Sequence, residues 1–135
     1  MRVVEQLSVF IDKNPETLAA VCDALAAERI NIYGLAVSDT SDHAVVRMVL
    51  SDTRKALAIF ESRGTLAIEN DVLMLENDNR PGSFSRVARA LATHRVEIHY
   101  AYLASMPSAR KGLLILRVSD LRKARRVLLP ITSKP

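Results

Sequence analysis

The residues best suited to chemistry stand in two short polar loops, Asp12-Lys-Asn-Pro-Glu-Thr-Leu18 and Asn77-Asp-Asn-Arg-Pro-Gly-Ser-Phe84. Each follows an apolar run and precedes a segment of helical spacing. A proline in each is therefore placed at the first helical position, where its missing N–H costs nothing and its φ already suits a helix. The amides just beyond it are donors at the positive end of a helix, which is chemistry that receives a carboxylate. The two loops then diverge. Asn14 is a good cap and Glu16 puts its own carboxylate in the first turn, so the first loop satisfies itself. Arg80 is a poor cap, and Gly82 has no side chain to bar a ligand from the amides of Gly82, Ser83 and Phe84. A free amino acid fits such a place. Its carboxylate meets the amides and Arg80, and its ammonium group meets Asp78, Asp12 or the side-chain amide of Asn79. Pro-Gly also makes a tight turn with no ligand at all, and that reading stays open here.

Other chemistry finds little support. His43, His94 and His99 are not paired at helical spacing or set near Cys22, the one cysteine, so no metal-ligand cluster is visible. Cys22 occupies the helix position that Ala88 holds in the second half, on a core-facing stripe, where a thiol behaves as a small hydrophobe. No nucleophile elbow, phosphate-binding loop or dinucleotide fingerprint occurs, and the chain is expected to be non-enzymatic and to need no cofactor. An RNA-recognition module would place aromatic residues on its central strands. Here Met74, Leu75, Leu114, Ile115 and Leu116 are aliphatic, which disfavours nucleic-acid binding by base stacking.

The elements that must hold these loops come from an internal repeat. Shifting the sequence by 66 positions lays Asp12 and Pro15 on Asp78 and Pro81, Ala24-Leu-Ala26 on Ala90-Leu-Ala92, Arg29 on Arg95 and Ile32 on Ile98. Ser51-Asp-Thr-Arg-Lys-Ala56 reappears as Ser119-Asp-Leu-Arg-Lys-Ala124 at a shift of 68, so the second copy has two extra residues in a turn. In each copy a β-prone first strand (6–11, 72–77) leads to a helix with apolar positions at 18, 21, 22, 25 or 84, 87, 88, 91. Second strands at 30–37 and 96–103 and third strands at 44–50 and 112–118 follow. Ser51-Asp52 and Ser119-Asp120 supply N-cap chemistry for a second helix, whose buried stripe is Ala56, Ile59, Phe60 or Ala124, Val127, Leu128. Thr65 to Glu69 gives the first copy a fourth strand. The expected fold class is α+β: a ferredoxin-like βαββαβ unit, duplicated, each with an antiparallel sheet and both helices on one face. The expected domains are residues 1–70 and 71–135. The last strand of the second is short, absent or completed by another segment, because after Leu129 only a proline-bearing tail remains.

Composition agrees with this plan. A chain of 135 residues, 49% apolar and 25% charged, is long enough for a core without staples. Its apolar runs of four or five residues fall far short of the roughly 20 that a membrane helix needs, and its start lacks a signal layout, so a cytoplasmic protein is expected. Charge is divided. Residues 1–68 hold 7 basic and 9 acidic side chains, and residues 69–135 hold 12 and 6. The excess gathers in Arg110, Lys111, Arg117, Arg122, Lys123, Arg125 and Arg126, which suits a solvated face, an acidic partner or phosphate contacts. The sheet face opposite the helices would carry Phe10, Val45, Val49, Val72, Met74, Leu113 and Ile115. An open face of that kind predicts a homo-oligomer, with a dimer as the expected state.

The run from Val72 to Phe84, then Val87, Leu91, Val96-Glu-Ile-His-Tyr-Ala-Tyr102 and Leu113-Leu-Ile-Leu-Arg-Val-Ser-Asp120, resembles the ACT domain. The duplicated chain resembles stand-alone two-ACT-domain proteins from about Glu5 to Leu129. This resemblance implies a ligand-sensing regulator that binds an amino acid or related metabolite where the first loop of one domain meets a neighbouring domain. It also implies an output through a separate enzyme or transcription factor. The family's Asn-Ile pair is matched at Asn31-Ile32 only, and its Pro-Gly at Pro81-Gly82 only, which implies one composite site. The candidate ligand-lining residues are Asp12, Asn14, Asn31, Asp78, Asn79, Arg80, Pro81, Gly82, Ser83 and Phe84. Two competing readings are an oligomeric scaffold without ligand and weak nucleic-acid binding through the basic half.

Overall fold

The computed structural model of the protein describes residues 1–132, and among them alternating apolar residues and paired apolar stripes produce six strands and four helices. The elements are β1 (Arg2–Ile11), α1 (Pro15–Ala27), β2 (Ile32–Asp39), β3 (Ala44–Leu50), α2 (Thr53–Ser62), β4 (Leu66–Asp78), α3 (Ser83–Thr93), β5 (Ile98–Ala104), β6 (Lys111–Val118) and α4 (Leu121–Thr132). They form two compact units. One is Glu5–Asn70; the other runs from Asp71 onward and takes in Met1–Val4.

In the unit of Glu5–Asn70 the strands lie in the order β2-β3-β1-β4, with β3 antiparallel to both β1 and β2. Leu7, Val9 and Ile11 of β1 and Val46, Met48 and Leu50 of β3 meet Val21 and Leu25 of α1 and Ala56 and Phe60 of α2 in one core. Leu18, Cys22 and Ile59 pack at its margin, so the helical stripes face the sheet as their spacing predicts. The unit from Asp71 repeats the plan with β6 between β4 and β5. Its core joins Leu73, Leu75, Leu114 and Leu116 to Val87 and Leu91 of α3 and Ala124 and Leu128 of α4. Both first helices end in the same way. Arg29 and Arg95 each adopt φ 57°, and the next residues, Ile30 and Val96, donate back to Leu25 O and Leu91 O, closing a Schellman cap.

Two details, the joining of two strands into one and the covering of the sheet face, differ from the expectation. The fourth strand of the first copy and the first strand of the second are one continuous strand, β4, because Glu69-Asn-Asp71 contains no glycine or proline to break an extended chain. Among the described residues no strand follows the last helix of the second copy: α4 runs through Pro130 to Thr132, and residues 133–135 lie outside the described residues. The start of β1 takes that place, as Met1–Val4 groups with the unit from Asp71 and Met1 packs against its core. Finally, the sheet face opposite the helices is not an open apolar surface. Val49, Val72 and Ile115 are buried and Phe10, Val45, Met74 and Leu113 half-buried. Long side chains share that face, with Arg47 between Val45 and Val49 on β3 and Tyr102 in register with Ile115. None of the described helices is long and apolar enough to cross a membrane.

Candidate functional site

The two strand-to-helix loops resolve their ends differently. In the first, Pro15 is the first residue of α1 and Asn14 is its N-cap, its side-chain oxygen accepting from Glu16 N at 3.0 Å. Asp12 in turn accepts from Asn14 N at 2.9 Å and from Thr17 Oγ1 at 2.7 Å. Asp12 Oδ1 and Asn14 Oδ1 thus both accept within their own loop. Beside them lies an open cleft of about 250 Å³, lined by Ile11, Leu18, Val37 and Ala44 with Lys13 and Asp39 at its rim. Lys13 is held there by Asp39 at 2.8 Å and Thr40 O at 2.7 Å.

In the second loop the helix starts later, and Pro81 is not its first residue. Gly82 is the N-cap of α3 with φ 87° and ψ −9°, and Ser83 N donates to Arg80 O at 3.2 Å. Arg80-Pro-Gly-Ser83 is thus a type II turn, with proline and glycine at the two positions that select them. A Cβ on Gly82 would meet nothing within 4 Å, so glycine is required by its left-handed φ and not by crowding. No side chain caps α3. Of the three amides expected to be open, Ser83 is used by the turn, whereas those of Gly82 and Phe84 have no acceptor among the described residues.

Asn79 has a structural assignment. Its side-chain NH₂ donates to Ala109 O at 2.7 Å and Met106 O at 3.0 Å, with Pro107 O at 3.4 Å, and its backbone N donates to Arg110 O at 2.9 Å. It pins the loop between β5 and β6, which holds the two extra residues of the second copy, and its NH₂ is not free for a ligand. Asp78 sits 3.2 Å from Lys111 Nζ and 3.5 Å from Arg80. These cations, Lys111 foremost, hold its carboxyl below the usual carboxylate range. Asp78, Asn79, Arg80, Arg110 and Lys111 line an open cleft of about 410 Å³. A hollow of about 40 Å³ near the start of α3 is lined by Asn77, Asp78, Ser83, Arg86, Lys111 and Thr132, among others. Asn77 is buried there and donates only a long 3.4 Å bond to Asp78 O.

The candidates Asp78 to Phe84 are thus brought together in one loop of one unit. Asn31 lies just before β2, exposed, with its backbone latched to Ser51: Asn31 N donates to Ser51 Oγ at 2.8 Å and Ser51 N to Asn31 O at 2.9 Å. Glu97 and Ser119 repeat that latch in the second unit. Sequence reasoning missed Lys111 and Thr132 as neighbours of the loop, and placed Asn77 in the loop without assigning it to the hollow. The register Asp78↔Lys111 that brings Lys111 in depends on the hairpin length, which the repeat shift reports only as two extra residues.

Two ferredoxin-like units, the second with an uncapped, glycine-started helix, define a tandem α+β module. The sequence matches the family described as ACT domain pair over residues 2–133, and the chain belongs to it. Among solved structures it is similar to protein BT0572 from Bacteroides thetaiotaomicron, at 27% identity and a TM-score of 0.89 over 96% of this chain and 88% of that one. It also shares its fold with the ligand-free regulatory subunit of aspartate kinase from Thermus thermophilus, at 16% identity and a TM-score of 0.70 over 96% and 97% of the two chains. The corresponding subunit from Thermus flavus gives 19% identity and a TM-score of 0.66 over 95% and 91%. No curated protein sequence matches the chain.

Proposed function

We propose that the chain is a non-catalytic regulatory module that binds a small amino acid, or a similar metabolite, at the Asp78–Phe84 loop and conveys occupancy to a separate protein. The observation that carries this reading is the uncapped start of α3, with the Gly82 and Phe84 amides unengaged among the described residues. Arg80 and Lys111, ion-paired with Asp78 in that cleft, can exchange this pairing for a ligand carboxylate and leave Asp78 to an ammonium group. A zwitterion needs both signs of charge within one cleft, and this loop offers them. The family and the shared fold with aspartate kinase regulatory subunits support a regulatory role. Asp12 and Asn14 are left out of the proposed binding set, since Asn14 Oδ1 caps α1 and Asp12 Oδ1 is bonded to Asn14 N and Thr17 Oγ1. Asn31 is proposed as a wall residue contributed by a second copy of the chain, in a homodimer.

Isothermal titration against the twenty amino acids, with a thermal-shift measurement on each, tests the proposal. Heat and a raised melting temperature with one or a few of them are expected. Gly82→Glu, which copies the first loop, is expected to remove that heat while the variant stays folded; an unchanged affinity would place the carboxylate elsewhere. A second reading has one observation in its favour, since the Ser83-to-Arg80 turn bond makes the Pro-Gly turn self-sufficient. On that reading the module is a scaffold, and none of the twenty amino acids produces heat or a shift.

A further inference from the structure

The helix layer of the unit from Asp71 carries a charge that the fold does not use. α3 and α4 contain no Asp or Glu, whereas they present Arg86, Arg89, Arg122, Lys123, Arg125 and Arg126. All but the half-exposed Lys123 are exposed. Comparison with the first copy shows what is added. Arg86, Arg89, Arg125 and Arg126 stand where that copy has Ala20, Asp23, Leu57 and Ala58. The two cations common to both copies are neutralised in the first, Arg54 by Glu5 and Glu69, and Lys55 by Glu28 at 3.7 Å. Their counterparts Arg122 and Lys123 have no ion-pair partner among the described residues, and His94 replaces Glu28. The same helical layer thus forms in the first copy without this charge. In α4 the pairs Arg122/Arg126, Arg122/Arg125 and Lys123/Arg126 lie at spacings where like charges repel.

A face that opposes its own fold in this way is relieved by a polyanion. Apolar surface among the cations selects which kind. Leu129, 52% exposed, continues the α4 stripe one turn beyond Arg125 and Arg126. Ala90 and Ile131 line a shallow groove of about 390 Å³ with Ser85, Arg86 and Arg89. The only aromatic residue on either helix, Phe84, packs against the core and is not placed to stack on bases. We infer that the outer face of α3 and α4 is a docking surface for a protein segment that combines Asp or Glu with apolar side chains. This inference stands apart from the amino-acid reading of the Asp78–Phe84 loop.

Fluorescence anisotropy on the full chain tests it with three probes: a short peptide mixing Glu and Leu, an all-Glu peptide of equal charge, and a short DNA duplex. The mixed peptide is expected to bind most tightly. Arg125→Glu combined with Arg126→Glu is expected to weaken it by about tenfold or more, as charge reversal at a complementary contact does. Leu129→Ser is expected to erase the preference for the mixed peptide over the all-Glu one. These positions are exposed, so circular dichroism should show unchanged folds. Tighter binding of the duplex, equal binding of both peptides by the unaltered chain, or no binding of the mixed peptide each overturns the inference.

Discussion

Asn79 separates a structural role from a ligand-binding one, and replacing it with Asp tests which holds. The side chain keeps its size, but the NH₂ that faces Ala109 O and Met106 O at 2.7 and 3.0 Å becomes an oxygen. Two good hydrogen bonds are lost, each worth about 0.5–1.5 kcal/mol net, and an oxygen now faces carbonyl oxygens that had been satisfied. The 3.4 Å contact with Pro107 O adds little. Arg80 and Arg110 are near enough in the cleft to offset part of the added charge. The expected loss is about 2 kcal/mol, with Asn79→Ala losing somewhat less because it introduces no repulsion. For a chain of this length each kcal/mol lowers the melting temperature by roughly 3–6 °C. Urea denaturation reads the loss, and amide exchange localises it: Ser105–Arg110 should lose protection first, before α1 or β1. A variant of unaltered stability with weakened amino-acid affinity would refute the staple and return Asn79 to the binding set.

Arg95→Gly should stabilise the unit from Asp71 by about 0.5–1 kcal/mol, because φ 57° strains a residue with a Cβ while glycine adopts it freely; chemical denaturation measures this, and a loss of stability would contradict the cap geometry. Deleting Met1–Val4 should lower amide protection in the β4, β6 and α4 segments while leaving α1 and α2 unchanged, since Met1 packs on the second core alone. Because the Asp78 carboxyl is held low by Lys111 and Arg80, its contribution is present above the ordinary carboxylate pKa and is lost as pH falls through its lowered folded value. Lys111→Met should therefore raise the Asp78 midpoint towards the ordinary value in a carboxyl NMR titration. An unmoved midpoint would show that Lys111 is not the cause.

The fold was legible because the repeat fixes it twice over. The stripes at Val21/Leu25 and Val87/Leu91, and at Ala56/Phe60 and Ala124/Leu128, all reach the cores that their spacing assigns. Illegible parts depend on contacts between distant segments. Nothing local in Met1–Val4 says that it joins residues beyond Asp71, and nothing in Asn79 distinguishes a ligand contact from three carbonyls of a loop some thirty residues away. Of the two loops, the local structure of one was legible. The self-capped first loop follows from Asn14 and Glu16, whose side chains act within two residues of themselves. The late start of α3 was not, because Pro-Gly satisfies both a helix N1 and a type II turn, and the turn prevails where φ of glycine becomes positive.

That competition explains how one duplicated loop comes to have two fates. With Asn at 14 and Glu at 16, a side-chain oxygen reaches the second helical amide, Pro15 enters the helix, and the positive end of α1 is closed by its own chain. With Arg at 80 and Gly at 82 no oxygen is at hand, the backbone turns left-handed, and the helix starts two residues later relative to the repeat. The turn recovers one donor through Arg80 O and leaves its neighbours unengaged among the described residues. The same substitution brings a cation to the loop, and the hairpin register adds Lys111 beside Asp78. Opening the amides and assembling charges of both signs are thus two results of one local exchange. Restoring Asn and Glu together at 80 and 82 should close the second loop as the first is closed, lengthening α3 and removing amino-acid binding in one step.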